Sequence, residues 1–114
     1  MHDYGTDDDR PFKKFPSPKQ YPRQKVIAVD FDGTLYRNGG INERLVEWCR
    51  RKRAEGFSLI LWSARGQELC ERAVTEFKLQ DVFNHVISKP GYIVDDWGWR
   101  WVKFTKVIRT SDDL

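Results

Sequence analysis

Cysteine and histidine are scarce in this chain of 114 residues, which contains two of each. Cys49 and Cys70 lie in separate segments, and His2 and His85 are far apart, so no group of these residues has the spacing of a zinc site. Both cysteines lie on the apolar faces of helix-like segments, which predicts buried, reduced thiols in a cytoplasmic protein.

Long apolar runs are also missing. No stretch approaches the roughly 20 apolar residues that a membrane-spanning helix needs, and the start, MHDYGTDDDR, lacks the basic-then-apolar order of a secretory signal. Apolar residues make up 39% of the chain and charged residues 32%, with a formal net charge of +3. This balance is typical of a soluble globular protein and indicates neither a membrane nor, by itself, a nucleic-acid partner or an oligomer.

Proline is concentrated at the N-terminus, where four of the five prolines fall within the first 22 residues among lysines and arginines. Proline at this density stops helices and central strands, so residues 1–23 are predicted to form an extended, partly disordered, basic arm. The arm is interpreted either as a solvated tail or as a contact for a polyanion. Residues 111–114 are predicted to be a polar tail, which leaves residues 24–110 as the folded domain.

Apolar segments alternate after the arm in the order strand, helix, strand, helix, strand, strand. The predicted strands are 26–29, 58–62, 82–87 and 91–96, and the predicted helices are 43–55 and 67–77. Residues 103–108 are predicted to hold a helical turn and a last edge strand. The runs VIAV and SLILW are apolar throughout, as in strands that are covered on both faces. The pattern predicts a three-layer α/β/α sandwich around a parallel, Rossmann-like sheet with right-handed crossovers.

Polar side chains stand at the ends of these predicted strands. They are Asp30 and Asp32 after the first strand, Ser63 after the second, Lys89 before the fourth, and Asp95 and Asp96 at its end. Because ligands bind outside the carboxyl ends of the strands in an open parallel sheet, we expect one shared site. Four clustered carboxylates repel each other unless a hard cation such as Mg²⁺ intervenes, so the four aspartates predict a magnesium site.

The run VDFDGTL closely resembles the first motif of the haloacid dehalogenase superfamily, Asp-x-Asp-Gly-Thr. Ser63 in LWSAR, then Lys89, then the pair Asp95 and Asp96 resemble the second, third and fourth motifs of that superfamily in order. The resemblance covers residues 25 to about 108. It implies a haloacid dehalogenase-like catalytic domain and a phosphatase that works through an aspartyl-phosphate.

The resemblance also implies a role for each residue. Asp30 would be the nucleophile and a metal ligand, and Asp32 would be the general acid and then the general base, which requires a raised pKa. The main-chain carbonyl of Asp32 would bind Mg²⁺ as well. Ser63 and Lys89 would hold the phosphoryl oxygens. Asp95 would bind Mg²⁺ directly.

Three residues near these motifs have more open roles. Asp96 would either bind Mg²⁺ itself or accept a hydrogen bond beside it. Arg65 resembles part of a variant second motif, and it would either reach the substrate or its phosphate or pair with Glu68. Lys89 stands six residues before Asp95, a shorter gap than in many relatives.

Relatives usually carry a cap inserted after the first motif or after the second, and neither place has room here. Only about nine residues separate Asp32 from the first predicted helix, and the 25 residues between Ser63 and Lys89 are taken up by a helix and a strand. The site is therefore expected to be open. Capless relatives often act on macromolecules, or they use a neighbouring subunit as a lid.

The segment WGWRW follows the last motif and interleaves tryptophan with a cation. Aromatic rings beside cations can stack bases and bind phosphates, which makes Trp97 a candidate substrate contact. We expect Trp99 or Trp101 to be a core residue.

The sequence as a whole predicts a small, capless, Mg²⁺-dependent phosphomonoester hydrolase with a phosphorylated substrate. Nucleotides or polynucleotide ends are the first candidates for that substrate. Two alternatives stay open, a phosphotransferase that passes the phosphoryl group to an alcohol and a binding protein that keeps the fold without turnover.

Overall fold

The computed structural model describes residues 22–109 and residue 114. The predicted N-terminal arm lies outside these residues except for its last two positions, and the predicted polar tail lies outside them except for Leu114. The chain divides into two compact units. Among the described residues, the α/β unit comprises 25–91 with 108–109 and Leu114, and the tryptophan-rich unit comprises 92–107 with 22–24.

The described residues of the α/β unit form seven short elements. They are β1 (Val26–Asp30), β2 (Tyr36–Arg37), β3 (Gly40–Ile41), α1 (Glu43–Ala54), β4 (Ser58–Ser63), α2 (Gln67–Glu76) and β5 (His85–Ser88). Both predicted helices and the first two predicted strands are confirmed to within one residue at each end. No helix in the described part of the chain has the length and apolar character needed to cross a membrane.

A parallel sheet organises this unit, as predicted, and its strands lie in the order β1-β4-β5. In its register Asp30 pairs with Trp62 and Ser63 pairs with Ser88, while β2 and β3 form a separate antiparallel pair. Because parallel strands run in the same direction, the carboxyl ends of β1, β4 and β5 lie side by side at one edge. Residues at or just after these three ends are therefore brought together.

The core lies against one face of this sheet. Leu59, Leu61 and Ser63 of β4 are buried, whereas the alternate residues of the strand are only half-buried. Side chains from both helices join the same cluster as Leu59 and Leu61. Each crossover steps in the same direction across the sheet, and a right-handed connection then places both helices on one side. On the opposite face Val26 is 53% exposed. The described residues thus confirm a parallel sheet with helices, and the predicted third layer stays a prediction.

Both cysteines are buried and unpaired, as predicted. Burial raises the pKa of the Cys49 thiol to about 12. Burial also raises the pKa of Cys70, and the negative charges of Asp32 and Asp30 add to that effect. Since the thiolate is the reactive form of cysteine, neither thiol supplies a nucleophile at neutral pH.

The prediction of a fourth strand at residues 91–96 is wrong. These residues form no strand, and Tyr92 and Val94 are almost fully exposed. An apolar β-branched run favours a strand only where neighbouring strands and a core receive its side chains. The regular element described in the tryptophan-rich unit is a 3₁₀ helix, Gly98–Phe104, and the predicted edge strand near 103–108 is not formed.

Candidate active site

A tight loop after β1 holds two aspartates at the edge of the sheet. The Leu35 amide donates to the Asp30 carbonyl at 3.2 Å, and Gly33 has a φ of 78°, a conformation that favours glycine. Phe31 and Leu35 are buried in the core. Because Phe31 points inward between them, Asp30 and Asp32 are both left with their carboxylates partly exposed.

Asp30 contacts a cation through one carboxylate oxygen and a hydroxyl through the other. Lys89 Nζ lies 3.0 Å from Asp30 Oδ1, and Thr34 Oγ1 donates to Asp30 Oδ2 at 3.2 Å. Lys89 directly follows β5, and its amide donates to the Ser63 carbonyl at 2.9 Å. Its ammonium also lies 5.9 Å from the ring centroid of Trp62, the register partner of Asp30. The three parallel strands thus bring Lys89 to Asp30.

Asp32 is held by Arg65 in a bidentate ion pair. Arg65 Nε lies 2.9 Å from Asp32 Oδ2, and Arg65 Nη2 lies 2.7 Å from Asp32 Oδ1. These hydrogen bonds from Arg65 are the main reason that the pKa of Asp32 is lowered, and the Ser63 hydroxyl contributes to the same effect. The same contact raises the pKa of Arg65. Arg65 therefore pairs with Asp32 and not with Glu68.

The lowered pKa of Asp32 differs from the raised value that its expected role requires. Repulsion from neighbouring carboxylates was expected to raise it. In the structure the side chain of Asp32 is 46% exposed, so the desolvation that raises its pKa is smaller than the effect of the guanidinium. Asp32 can act as a general acid only after Arg65 has moved away.

Ser63 is buried and organises the turn from β4 into α2. Its Oγ accepts a hydrogen bond from the Arg65 amide at 3.0 Å, and its carbonyl accepts from the Gly66 amide at 3.2 Å. The hydroxyl also contributes to the lowered pKa of Asp32. Ser63 thus fixes the backbone at Arg65, the residue that holds the second carboxylate of the site.

The other three predicted site residues, Asp95, Asp96 and Trp97, belong to the tryptophan-rich unit. Asp95 Oδ1 accepts a hydrogen bond from the Trp97 amide at 2.8 Å, and the Asp95 carbonyl accepts from the Gly98 amide at 3.0 Å. This is the local geometry of an Asx turn leading into the 3₁₀ helix. The grouping of these three residues with Asp30 stays a prediction.

The tryptophans of this unit are more exposed than predicted. Trp99 is 66% exposed and Trp101 is 37% exposed, so the expectation that one of them is a core residue is wrong. Their ring centroids lie 6.3 Å apart. Two cations, Arg100 and Lys103, lie 5.6 Å and 5.2 Å from the ring centroid of Trp97. The 3₁₀ helix Gly98–Phe104 together with Trp97 is too short to bury three indoles by itself, and the two cations pack on the ring of Trp97.

Mg²⁺ fits the chemistry of the donors in the α/β unit. Asp30 and Asp32 bring hard carboxylate oxygens to one sheet edge, and Mg²⁺ is commonly held by one or two carboxylates together with waters. Among the described residues, no group of three or more His, Cys, Asp or Glu side chains could hold a metal ion. Both carboxylates are engaged by cations, so a metal would have to displace Lys89 or Arg65 from them.

No protein-family model, curated protein or solved structure matches this chain. Membership of the haloacid dehalogenase superfamily therefore stays a prediction from motifs, and the geometry of the residues carries the argument about function.

Two residues that contact Asp30 or Lys89 were not among the predicted site residues. Thr34 is the last residue of the first motif, and its spacing of four from Asp30 was a usable signal. Trp62 is half-buried beneath the Lys89 ammonium, a position that an unbroken apolar run does not reveal.

Proposed function

We propose that the protein is a Mg²⁺-dependent phosphomonoester hydrolase with a haloacid dehalogenase-like fold and Asp30 as its nucleophile. The observation that carries the proposal is the contact of Asp30 with Lys89 at 3.0 Å and Thr34 at 3.2 Å, beside Asp32, at the carboxyl ends of parallel strands. A carboxylate needs no base to activate it, and the ammonium and the hydroxyl can move to phosphoryl oxygens as charge develops on them.

The proposed reaction has two steps. In the first, an oxygen of Asp30 attacks phosphorus, the bond from phosphorus to the leaving oxygen breaks, and protonated Asp32 gives its proton to that oxygen. In the second, water attacks the aspartyl-phosphate, Asp32 takes a proton from the water, and phosphate leaves with Asp30 restored. Lys89 and Ser63 hold the phosphoryl oxygens during both steps.

Mg²⁺ would neutralise charge on the phosphoryl group when bound. Asp30 and Asp32, which belong to the α/β unit, are its proposed ligands.

Arg65 has a specific part in this proposal. Its guanidinium now occupies both oxygens of Asp32, and a phosphoryl dianion offers the same paired acceptors with more charge. Substrate would therefore draw Arg65 away from Asp32. The pKa of Asp32 would then rise, which is the condition for proton donation to the leaving group.

Phosphate release from p-nitrophenyl phosphate, nucleotides, and 3′- and 5′-phosphorylated oligonucleotides tests this function. We expect release that depends on added Mg²⁺ and stops when the metal is chelated, because the charge of the phosphoryl group is then uncompensated. An added alcohol acceptor distinguishes hydrolysis from phosphotransfer by its products. Release that is unchanged by chelation, or no release from any member of this panel, would contradict the proposal.

Replacement of Arg65 by glutamine should change the pH dependence of the reaction. The general acid acts in its protonated form, so kcat/KM should fall as the pH rises through the pKa of free Asp32. Because Arg65 lowers that pKa, its removal should move this descending limb to higher pH. The overall kcat/KM should also fall by about tenfold, because a charged contact to the phosphoryl group is lost.

Arg50→Gln is the matched control for this variant. Arg50 forms a similar bidentate pair with Asp81, at 3.0 Å and 3.4 Å, and lowers the pKa of that carboxyl. Carboxyl NMR titration should show a higher midpoint for Asp32 only in Arg65→Gln, and for Asp81 only in Arg50→Gln. If Arg65→Gln changes neither the NMR titration of Asp32 nor the descending limb of the pH profile of kcat/KM, Arg65 does not set the proton affinity of Asp32.

A further inference from the structure

A groove of about 220 Å³ opens on the α/β unit beside Asp32. Its lining includes the aromatic residues Phe31, Tyr36 and Phe77. It also includes two arginines, Arg65 and Arg72, and two acidic residues, Asp32 and Glu76. Small-molecule sites usually enclose roughly 300–1,000 Å³, so this groove suits one part of a ligand and not a whole one.

The aromatic wall is continuous and partly accessible. The rings of Phe31 and Tyr36 are stacked, with centroids 5.5 Å apart and an angle of 11° between their planes. The ring of Phe77 lies 5.9 Å from that of Tyr36. Phe31 is buried, but Tyr36 and Phe77 are only half-buried and keep ring surface toward the groove. Such a wall favours a flat, apolar ring that can pack against it in an offset or edge-on arrangement.

The two arginines that line the groove are a second feature that suits an aromatic ring. Arg72 forms no ion pair with any residue that the structure describes, and Arg65 is held only by Asp32 and is exposed. A guanidinium can stack on an aromatic face as well as bind an acceptor at its edge. An exposed arginine that lines the same groove as these aromatic residues therefore gives a ring a second surface to contact.

We propose that this groove binds the leaving group of the substrate, and that the substrate is a phosphomonoester whose leaving group carries a flat aromatic ring. The inference rests on the proposed function, because Asp32 is the group that would protonate the leaving oxygen. The leaving group must then lie on the Asp32 side of Asp30, and the groove begins at Asp32. Nucleoside monophosphates and aryl phosphates both have this chemistry.

Amide NMR titration of the wild-type protein tests the groove without relying on turnover. Adenosine 5′-monophosphate and adenosine should shift the amides of Tyr36 and of residues 69–77, whereas ribose 5-phosphate, which lacks the ring, should leave them in place. Phenyl phosphate distinguishes a general ring site from one for nucleobases. Identical shifts from the nucleotide and the sugar phosphate, or no shift in the groove, would overturn the inference.

Kinetics of variants provide the second test. Arg72→Ala and Phe77→Leu should each raise KM for adenosine 5′-monophosphate by about tenfold and leave kcat nearly unchanged, because the ring contact is equal in the ground and transition states. KM for ribose 5-phosphate should change by less than about twofold in the same variants. Arg51→Ala, an exposed arginine of α1, is the matched control and should change neither value.

The two tests separate failure of the inference from failure of the proposed function. If adenosine 5′-monophosphate and ribose 5-phosphate are both hydrolysed, and neither KM differs between wild type and Arg72→Ala, the ring site is overturned. The proposed hydrolase function is then unaffected. Groove shifts with the nucleotide but no phosphate release from any substrate would support ring binding and overturn the hydrolase. Because Arg72 is exposed and makes no ion pair with the described residues, its variant should fold even if Phe77→Leu does not.

Discussion

Asp30→Asn should reduce phosphate release by at least about 10³-fold, because an amide cannot form the aspartyl-phosphate. Asparagine has nearly the same shape as aspartate and can still accept the hydrogen bond from Thr34. The lost ion pair with Lys89 is partly exposed, so the cost in stability should be about 1 kcal/mol or less. A rapid acid quench with labelled substrate should trap phosphate on the wild-type protein and none on the variant.

Asp81→Asn is the control for this change. It makes the same substitution in a surface ion pair with Arg50, at 3.0 Å, and should leave the rate within about twofold of wild type. Thermal unfolding of both variants shows whether a lost rate reflects a lost fold. If Asp30→Asn keeps measurable turnover and binds Mg²⁺ normally, Asp30 is not the nucleophile.

Lys89→Ala should lower kcat by about 10²–10³-fold, the usual cost of removing one group that stabilises charge in the transition state. The Lys89 ammonium is already placed 3.0 Å from Asp30 Oδ1, so it reaches the oxygens of a phosphoryl group attached to that carboxylate without a large movement. Steady-state kinetics on the best substrate of the panel measures the loss.

Lys52→Ala is a closely matched control for Lys89→Ala. Lys52 also joins an ion pair, with Glu55 at 3.2 Å, and also lies over an aromatic ring, 5.6 Å from the centroid of Trp48. The control therefore removes the same two kinds of contact from α1 and should leave kcat unchanged. A kcat within threefold of wild type for Lys89→Ala, or an equal fall in both variants, would contradict the role of Lys89.

The helices were predictable because their signals are local. Asn42 is a residue type that caps helices, and its Oδ1 accepts a hydrogen bond from the Leu45 amide at 3.3 Å at the start of α1. Apolar residues at helical spacing, such as Cys70, Ala73 and Val74, are buried as their pattern indicates. The last predicted strands were not predictable in this way, because a strand needs a neighbouring strand and a core that receives its side chains. The apolar run at Tyr92 and Val94 stays exposed and forms no strand.

The sequence by itself determined that Asp30, Asp32 and Ser63 meet, because they stand at or just after the ends of two strands recognised from their apolar runs, and parallel strands end at one edge. Lys89 was placed before a fourth strand that does not form, and it reaches the same edge because it directly follows β5. Only the tertiary structure decided what these groups do to one another. Arg65 meets Asp32 across 33 positions of the chain and reverses the expected direction of its pKa. The groove is likewise made by residues far apart in sequence, since electrostatic and packing contacts depend on distance in space and not on spacing along the chain.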